Sequence, residues 1–184
     1  MTHNNDGKIL LPIARAAISS ALHIPRTADE RAPWLNAPGA CFVTLTRNGQ
    51  LRGCIGSLAA HRTLLADVKS NAVSAALHDP RFMPMTVAEL ENTKIEISLL
   101  TPAELIEFKD EADALSQLRP GSDGVIFQYG SYYSTFLPQV WEQLPSPGEF
   151  MAHLKRKAGL PEDFWADGIR LSRYTVTKFI EDNQ

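Results

Sequence analysis

Arg52-Gly53-Cys54-Ile55-Gly56-Ser57 gathers a guanidinium, a thiol, two glycines and a hydroxyl in one short run. A guanidinium is a planar fork that grips a carboxylate or phosphate through two parallel hydrogen bonds. A thiol is a nucleophile once it ionises, and a cation nearby favours that form. Glycines in a strand leave the main chain bare, so a ligand or another segment can approach closely. The run therefore has the ingredients of a small-molecule site.

The elements that must hold these groups start with Asn48-Gly49, a pair suited to the positive φ angles of a two-residue hairpin loop. Cys41–Leu45 and Leu51–Leu58 read as its two strands. A strict two-residue loop sets Leu45 opposite Arg52 and Val43 opposite Cys54. Strand alternation then predicts Arg52 and Cys54 on the face of Cys41, Val43 and Leu45, with Phe42, Thr44, Leu51 and Ile55 on the other. Residues two apart lie roughly 6–7 Å from each other. At that distance a unit charge is worth about 2–2.5 kcal/mol at an effective dielectric of ~20.

Further along, Gly7–His23 carries a helical apolar stripe, and the proline-rich stretch Pro25–Gly39 reads as a loop anchored by Trp34-Leu35. Thr63–His78 is an amphipathic helix stopped by Pro80, with Asp67, Asn71, Ser74 and His78 as its polar stripe. Lys94–Leu100 alternates as a strand. Glu111–Leu118 is a short helix, and Gly124–Tyr129 with Tyr132–Leu137 is a second hairpin. Pro147–Ala158 is a helix ended by Gly159 and Pro161. Arg170–Ile180 is a final strand. Helices interleaved with hairpins indicate an α+β fold with a mixed, largely antiparallel sheet, not a doubly wound parallel one.

Composition narrows the function. The 184 residues allow one substantial core, or one core with a smaller lobe. The net charge of −3 supplies no basic field for nucleic acid. The two cysteines, Cys41 and Cys54, read as diagonal neighbours too far apart to bridge, which fits a reducing compartment. The polar start Met1–Lys8 has no leader-like apolar region, and Leu10–Leu22 is too short and broken to span a bilayer. A cytoplasmic protein is expected. His3, His23, His61, His78 and His153 show no metal-ligand spacing, and no phosphate loop or dinucleotide fingerprint occurs, so neither a metal nor another cofactor is expected.

Leu51–Ser57, Asp79-Pro80-Arg81-Phe82, Ile95-Glu96-Ile97-Ser98, Leu137-Pro138-Gln139-Val140 and Lys157-Ala158-Gly159-Leu160 follow one another in an order that resembles the AMMECR domain family. The resemblance runs from about Leu11 to Glu181. Trp141–Pro145 and Lys155–Leu160 are similar to the bacterial branch, whose members are called protein A of the AmmeMemoRadiSam system. It implies a single AMMECR-type domain over 1–184 with a larger and a smaller lobe, and a cleft near the Arg-Gly-Cys motif. It also implies association with a Memo-type protein and a radical S-adenosylmethionine protein. The family supplies no settled reaction.

Two readings follow. In the first, the protein is an enzyme acting on a small anionic metabolite: Arg52 anchors the anion, Cys54 is nucleophile or proton donor, and Glu96 handles protons. Gly53, Gly56, Ser57, Asn71, His78 and Arg81 complete the ligand surface. In the second, the same surface is a binding or adaptor module that docks a partner. Each residue also has a plainer role: Cys54 as a small buried space-filler, Arg52 as the ion-pair partner of Glu96, Asn71 and His78 as a solvated helix face. Arg81 reads equally as a binder of carbonyls at a helix exit, with Phe82 plugging the core.

Overall fold

The computed structural model describes residues 6–182. Residues 1–5, part of the polar stretch read over Met1–Lys8, lie outside them. The described chain forms two compact units, 6–100 with 177–182, and Thr101–Val176.

In the first unit, α1 (Gly7–Ala21) and α2 (Leu64–Leu77) pack against a sheet of β1 (Pro38–Arg47), β2 (Gln50–Gly56), β3 (Arg62–Thr63), β4 (Thr93–Leu100) and β9 (Val176–Ile180). The order is β2-β1-β4-β9, with β3 on β1, and β1 pairs antiparallel with β2, β3 and β4. Leu10, Ile13 and Ile18 of α1, Val68, Ala72 and Ala75 of α2, and Cys41, Val43, Leu45, Ile95 and Ile97 of the sheet close the core completely. Leu35, on a 3-10 turn over Pro33–Asn36, is buried in it, as the anchoring role of Trp34-Leu35 requires. Thr63 caps α2 by accepting the Ala66 N–H. A short helix α3 (Val87–Leu90) has a Thr86–Glu89 capping box.

The second unit builds β5 (Glu104–Ile106), β6 (Gly124–Tyr129), β7 (Tyr132–Phe136) and β8 (Arg170–Tyr174) into an antiparallel sheet of order β5-β8-β6-β7. It carries α4 (Glu111–Ser116) and α5 (Pro147–Lys157). Its core centres on Phe127, Leu171, Phe150 and Trp141, the last two stacked at 3.8 Å between centroids. Lys155 is buried, satisfied by Glu111 at 2.7 Å and the Phe164 carbonyl at 3.0 Å.

The fold is thus mixed α/β with antiparallel sheets and flanking helices. Two expectations change. The strand read over Arg170–Ile180 is two strands, β8 and β9, which belong to different sheets with Thr175 between them. Alternation alone carries no sign of that switch. The short elements β3, β5 and α3 were too brief to leave a periodic signal.

Candidate functional site

The hairpin turns as its Asn-Gly pair demands, with Asn48 at φ 51° and Gly49 at φ 76°. Arg47 faces Gln50 and Thr46 faces Leu51, but the register then shifts. Leu45 pairs with Gly53, Thr44 with Cys54, Val43 with Ile55 and Phe42 with Gly56, so Arg52 is the extra residue of a β-bulge. The expected Leu45–Arg52 and Val43–Cys54 pairs do not form. Cys54 therefore leaves the face of Cys41, Val43 and Leu45 and joins Thr44 on the opposite face.

The cause lies in α2. A Cβ on Gly53 would sit 2.1 Å from the Ala75 carbonyl oxygen, so the bulge brings a glycine to the point where helix and strand touch. At Gly56 a Cβ would meet the Phe42 ring at 2.2 Å. Both glycines permit close approach, as expected of them, but the approaching groups are the chain's own helix and ring. The main chain at Gly53 is buried.

Cys54 lies on the free edge of the sheet, half-buried rather than sealed. Its N–H donates to Asp79 Oδ2 at 2.9 Å, and its carbonyl accepts from Arg81 Nη2 at 3.3 Å. Asp79 and Arg81 thus stand in for a neighbouring strand and blunt the edge. They also hold each other, Nε to Oδ1 at 3.0 Å and Nη2 to Oδ2 at 2.7 Å. The Arg81 bond, helped by the Cys54 N–H, holds the Asp79 carboxyl well below the usual carboxylate range. The Asp79 side chain is 1% exposed and that of Arg81 53%, so the cation faces solvent beside the cysteine. The Thr44 hydroxyl donates to Cys54 Sγ at 3.3 Å.

Arg52 is differently engaged. Its Nε and Nη2 grip Glu89 at 3.0 and 3.3 Å, and Nη2 also donates to the Met83 carbonyl at 2.8 Å. Arg47 reaches the same carboxylate at 3.2 Å. The Arg52 bond first, then the Thr86 N–H, lowers Glu89 to about 2. The ion-pair partner of Arg52 is therefore Glu89, not Glu96; α3 brings Glu89 under the bulge, and that helix was not foreseen. Glu96 pairs with Lys178 at 3.4 Å. It sits across β1 from Cys54, with Thr44 between as partner of both. Two strand spacings put it about 10 Å from the cysteine. Phe82 does not plug the core; its ring lies 5.8 Å from the Arg52 guanidinium carbon and 5.5 Å from that of Arg81.

The polar stripe of α2 divides. Asn71 is 3% exposed rather than solvated, and Asp67 is 1% exposed. Asp67 accepts from Cys41 N–H (2.9 Å), Ser57 hydroxyl (2.7 Å), Arg62 Nε (2.8 Å) and Asn71 Nδ2 (2.9 Å). Asn71 also donates to the Cys41 carbonyl at 3.0 Å. Together they tie the end of β2 to the helix. The sequence reading assigned Asp67 no role; its signal was the four-residue step to Asn71. The Cys41 thiol, in the core beneath, is pushed up by burial and then by the Asp67 charge. His78 is exposed and lines a groove between α1 and α2 instead. Among the described residues no three His, Cys, Asp or Glu side chains could together hold a metal ion, and no helix is long and apolar enough to cross a membrane.

Comparison with known proteins places this geometry among relatives. The model of the family described as AMMECR1 matches residues 11–179. Protein MJ0810 of Methanocaldococcus jannaschii is 37% identical over 185 residues, covering 96% of this chain and 90% of its own. Protein PF1979 of Pyrococcus furiosus is 36% identical, covering 96% and 88%. The crystal structure of an uncharacterised protein, PH0010 of Pyrococcus horikoshii, superposes with a TM-score of 0.79 at 33% identity, covering 96% of this chain and 91% of that one.

Proposed function

The chain belongs to the AMMECR1 family, and we propose that it acts on a small anionic metabolite at the Arg52–Ser57 strand, with Cys54 as nucleophile or proton donor. One observation carries the reading: a half-buried sulfur accepts a hydroxyl hydrogen bond at 3.3 Å beside a solvent-facing guanidinium. A fixed donor on sulfur favours thiolate character, and a free face of Arg81 can receive a carboxylate or phosphate. Arg81 takes the anchoring role, because the fork of Arg52 is filled by Glu89. Arg52 then positions Phe82 and the bulge. Glu96 receives protons through Thr44 or a bridging water.

The same proposal places the protein in the cytoplasm, in the bacterial branch of the family, working with a Memo-type and a radical S-adenosylmethionine protein. The Trp141–Pro145 and Lys155–Leu160 motifs support that part.

The test is a metabolite screen read as melting temperature. Anions that stabilise the wild type should stabilise Cys54→Ser as well, lose their effect in Arg81→Ala, and be turned over only when Cys54 is present. Hits that ignore Arg81, or turnover by Cys54→Ser, would overturn the assignment.

A second reading, a docking module, is favoured by Met83, which is 82% exposed, with Leu51 and Val87 also exposed near Arg52. Capture of a partner enzyme by Cys54→Ala but not by Met83→Asp would favour it.

A further inference from the structure

A groove of about 1460 Å³ lies in the first unit between α1 and α2, walled by the segment 26–31. It is remote from the chemistry assigned to Cys54 and does not depend on it. Its floor is made of small apolar side chains, Ala16 and Ala17 from α1 with Val73 from α2. Its rim is polar. The hydroxyls of Ser20, Thr27, Ser70 and Ser74 all line it, and none has a hydrogen-bond partner among the described residues.

The charges at the rim are unevenly matched. Lys69 is tied to Glu30 at 2.9 Å, which fastens the 26–31 wall to α2, and Arg31 is tied to Asp29. Arg26 lines the groove and makes no ion pair or hydrogen bond among the described residues. Both carboxylates of the rim are thus neutralised while a cation is left over, and the exposed Lys69–Glu30 pair is weak enough for a competing anion to open.

We propose that this groove binds an amphipathic anion: an acid head on Arg26 and Lys69, displacing Glu30, and an apolar body laid over Ala16, Ala17 and Val73. Apolar lining with a few convergent polar groups is the general form of a small-ligand site. The serine hydroxyls serve the polar positions along the chain or head of such a ligand.

Decanoate is the probe, with decanol as its uncharged counterpart, followed by amide chemical shifts and titration calorimetry on the full chain. Decanoate should perturb the amides of Ser70 and Ser74 more than those of β2. Arg26→Glu should weaken decanoate about tenfold and leave decanol nearly unchanged. Ser70→Trp should weaken both by filling the groove. Both positions are solvent-facing, so the variants keep the fold, which circular dichroism checks. Scattered shifts, equal affinity for decanoate in Arg26→Glu, or self-association into the groove seen by sedimentation would each overturn the proposal.

Discussion

The two thiols of the first hairpin occupy opposite faces of one sheet, and their reactivities should separate accordingly. Cys41 is fully buried, with its thiol pushed up by that burial; Cys54 is partly open and hydrogen-bonded by Thr44. Iodoacetamide on the folded protein should label Cys54 and spare Cys41, as peptide mass spectrometry would read. Thr44→Val should slow that labelling. Equal labelling of both cysteines would remove the distinction on which the thiol chemistry rests. Glu89 offers a second test, since its carboxylate holds Arg52 and Arg47 together. Its folded value, about 2, lies below the ordinary carboxylate value of ~4.3, so its contribution is complete above that range and is lost as pH falls toward 2. Glu89→Gln should cost about 2–3 kcal/mol at neutral pH by leaving Arg52 without its acceptor. It should also flatten the acid limb of a urea-denaturation series, and an unchanged limb would refute the assignment.

Among the elements, α2 decides where the motif points. Its Ala75 carbonyl allows no side chain at Gly53, so Gly53→Ala should destabilise by about 3 kcal/mol or more. At Gly49, where nothing crowds a Cβ but φ is 76°, the change to Ala should cost only about 1–2 kcal/mol. Thermal unfolding of the two variants checks the order. This contact also explains the limit of what the sequence revealed. Asn48-Gly49, the apolar stripes of both long helices and the alternation of Lys94–Leu100 were legible because each is a local signal. The bulge at Arg52 was not, because it answers to a helix carbonyl more than twenty residues away. One displaced residue exchanges every facing side chain beyond it, which is how Cys54 came to face Thr44. Asp67 escaped for the same reason: an acid on a helix looks solvated until the strand that offers it four donors is in place.

At the scale of the molecule, the two units should differ in their response to pH. The first holds its lowered carboxylates, Asp79 and Glu89. The second holds Tyr174, raised to about 12 by burial, with its hydroxyl between Thr135 and the Phe136 carbonyl. A phenol raised on folding contributes stability below its ordinary value of ~10 that is lost as pH climbs to 12. Hydrogen exchange should therefore show 6–100 loosening first in acid and Thr101–Val176 first in alkali; the reverse order would contradict both assignments. The arrangement of β8 and β9 has a further consequence, for biosynthesis. Because β9 completes the first sheet beside β4, a ribosome must finish the entire second unit before the earlier one can close. Through that interval β4 exposes an unpaired flank, and buried Arg15 lacks Glu181, the carboxylate that will neutralise it. A nascent chain halted after Tyr174 should accordingly be captured by chaperones, and one extended through Asp182 should be released.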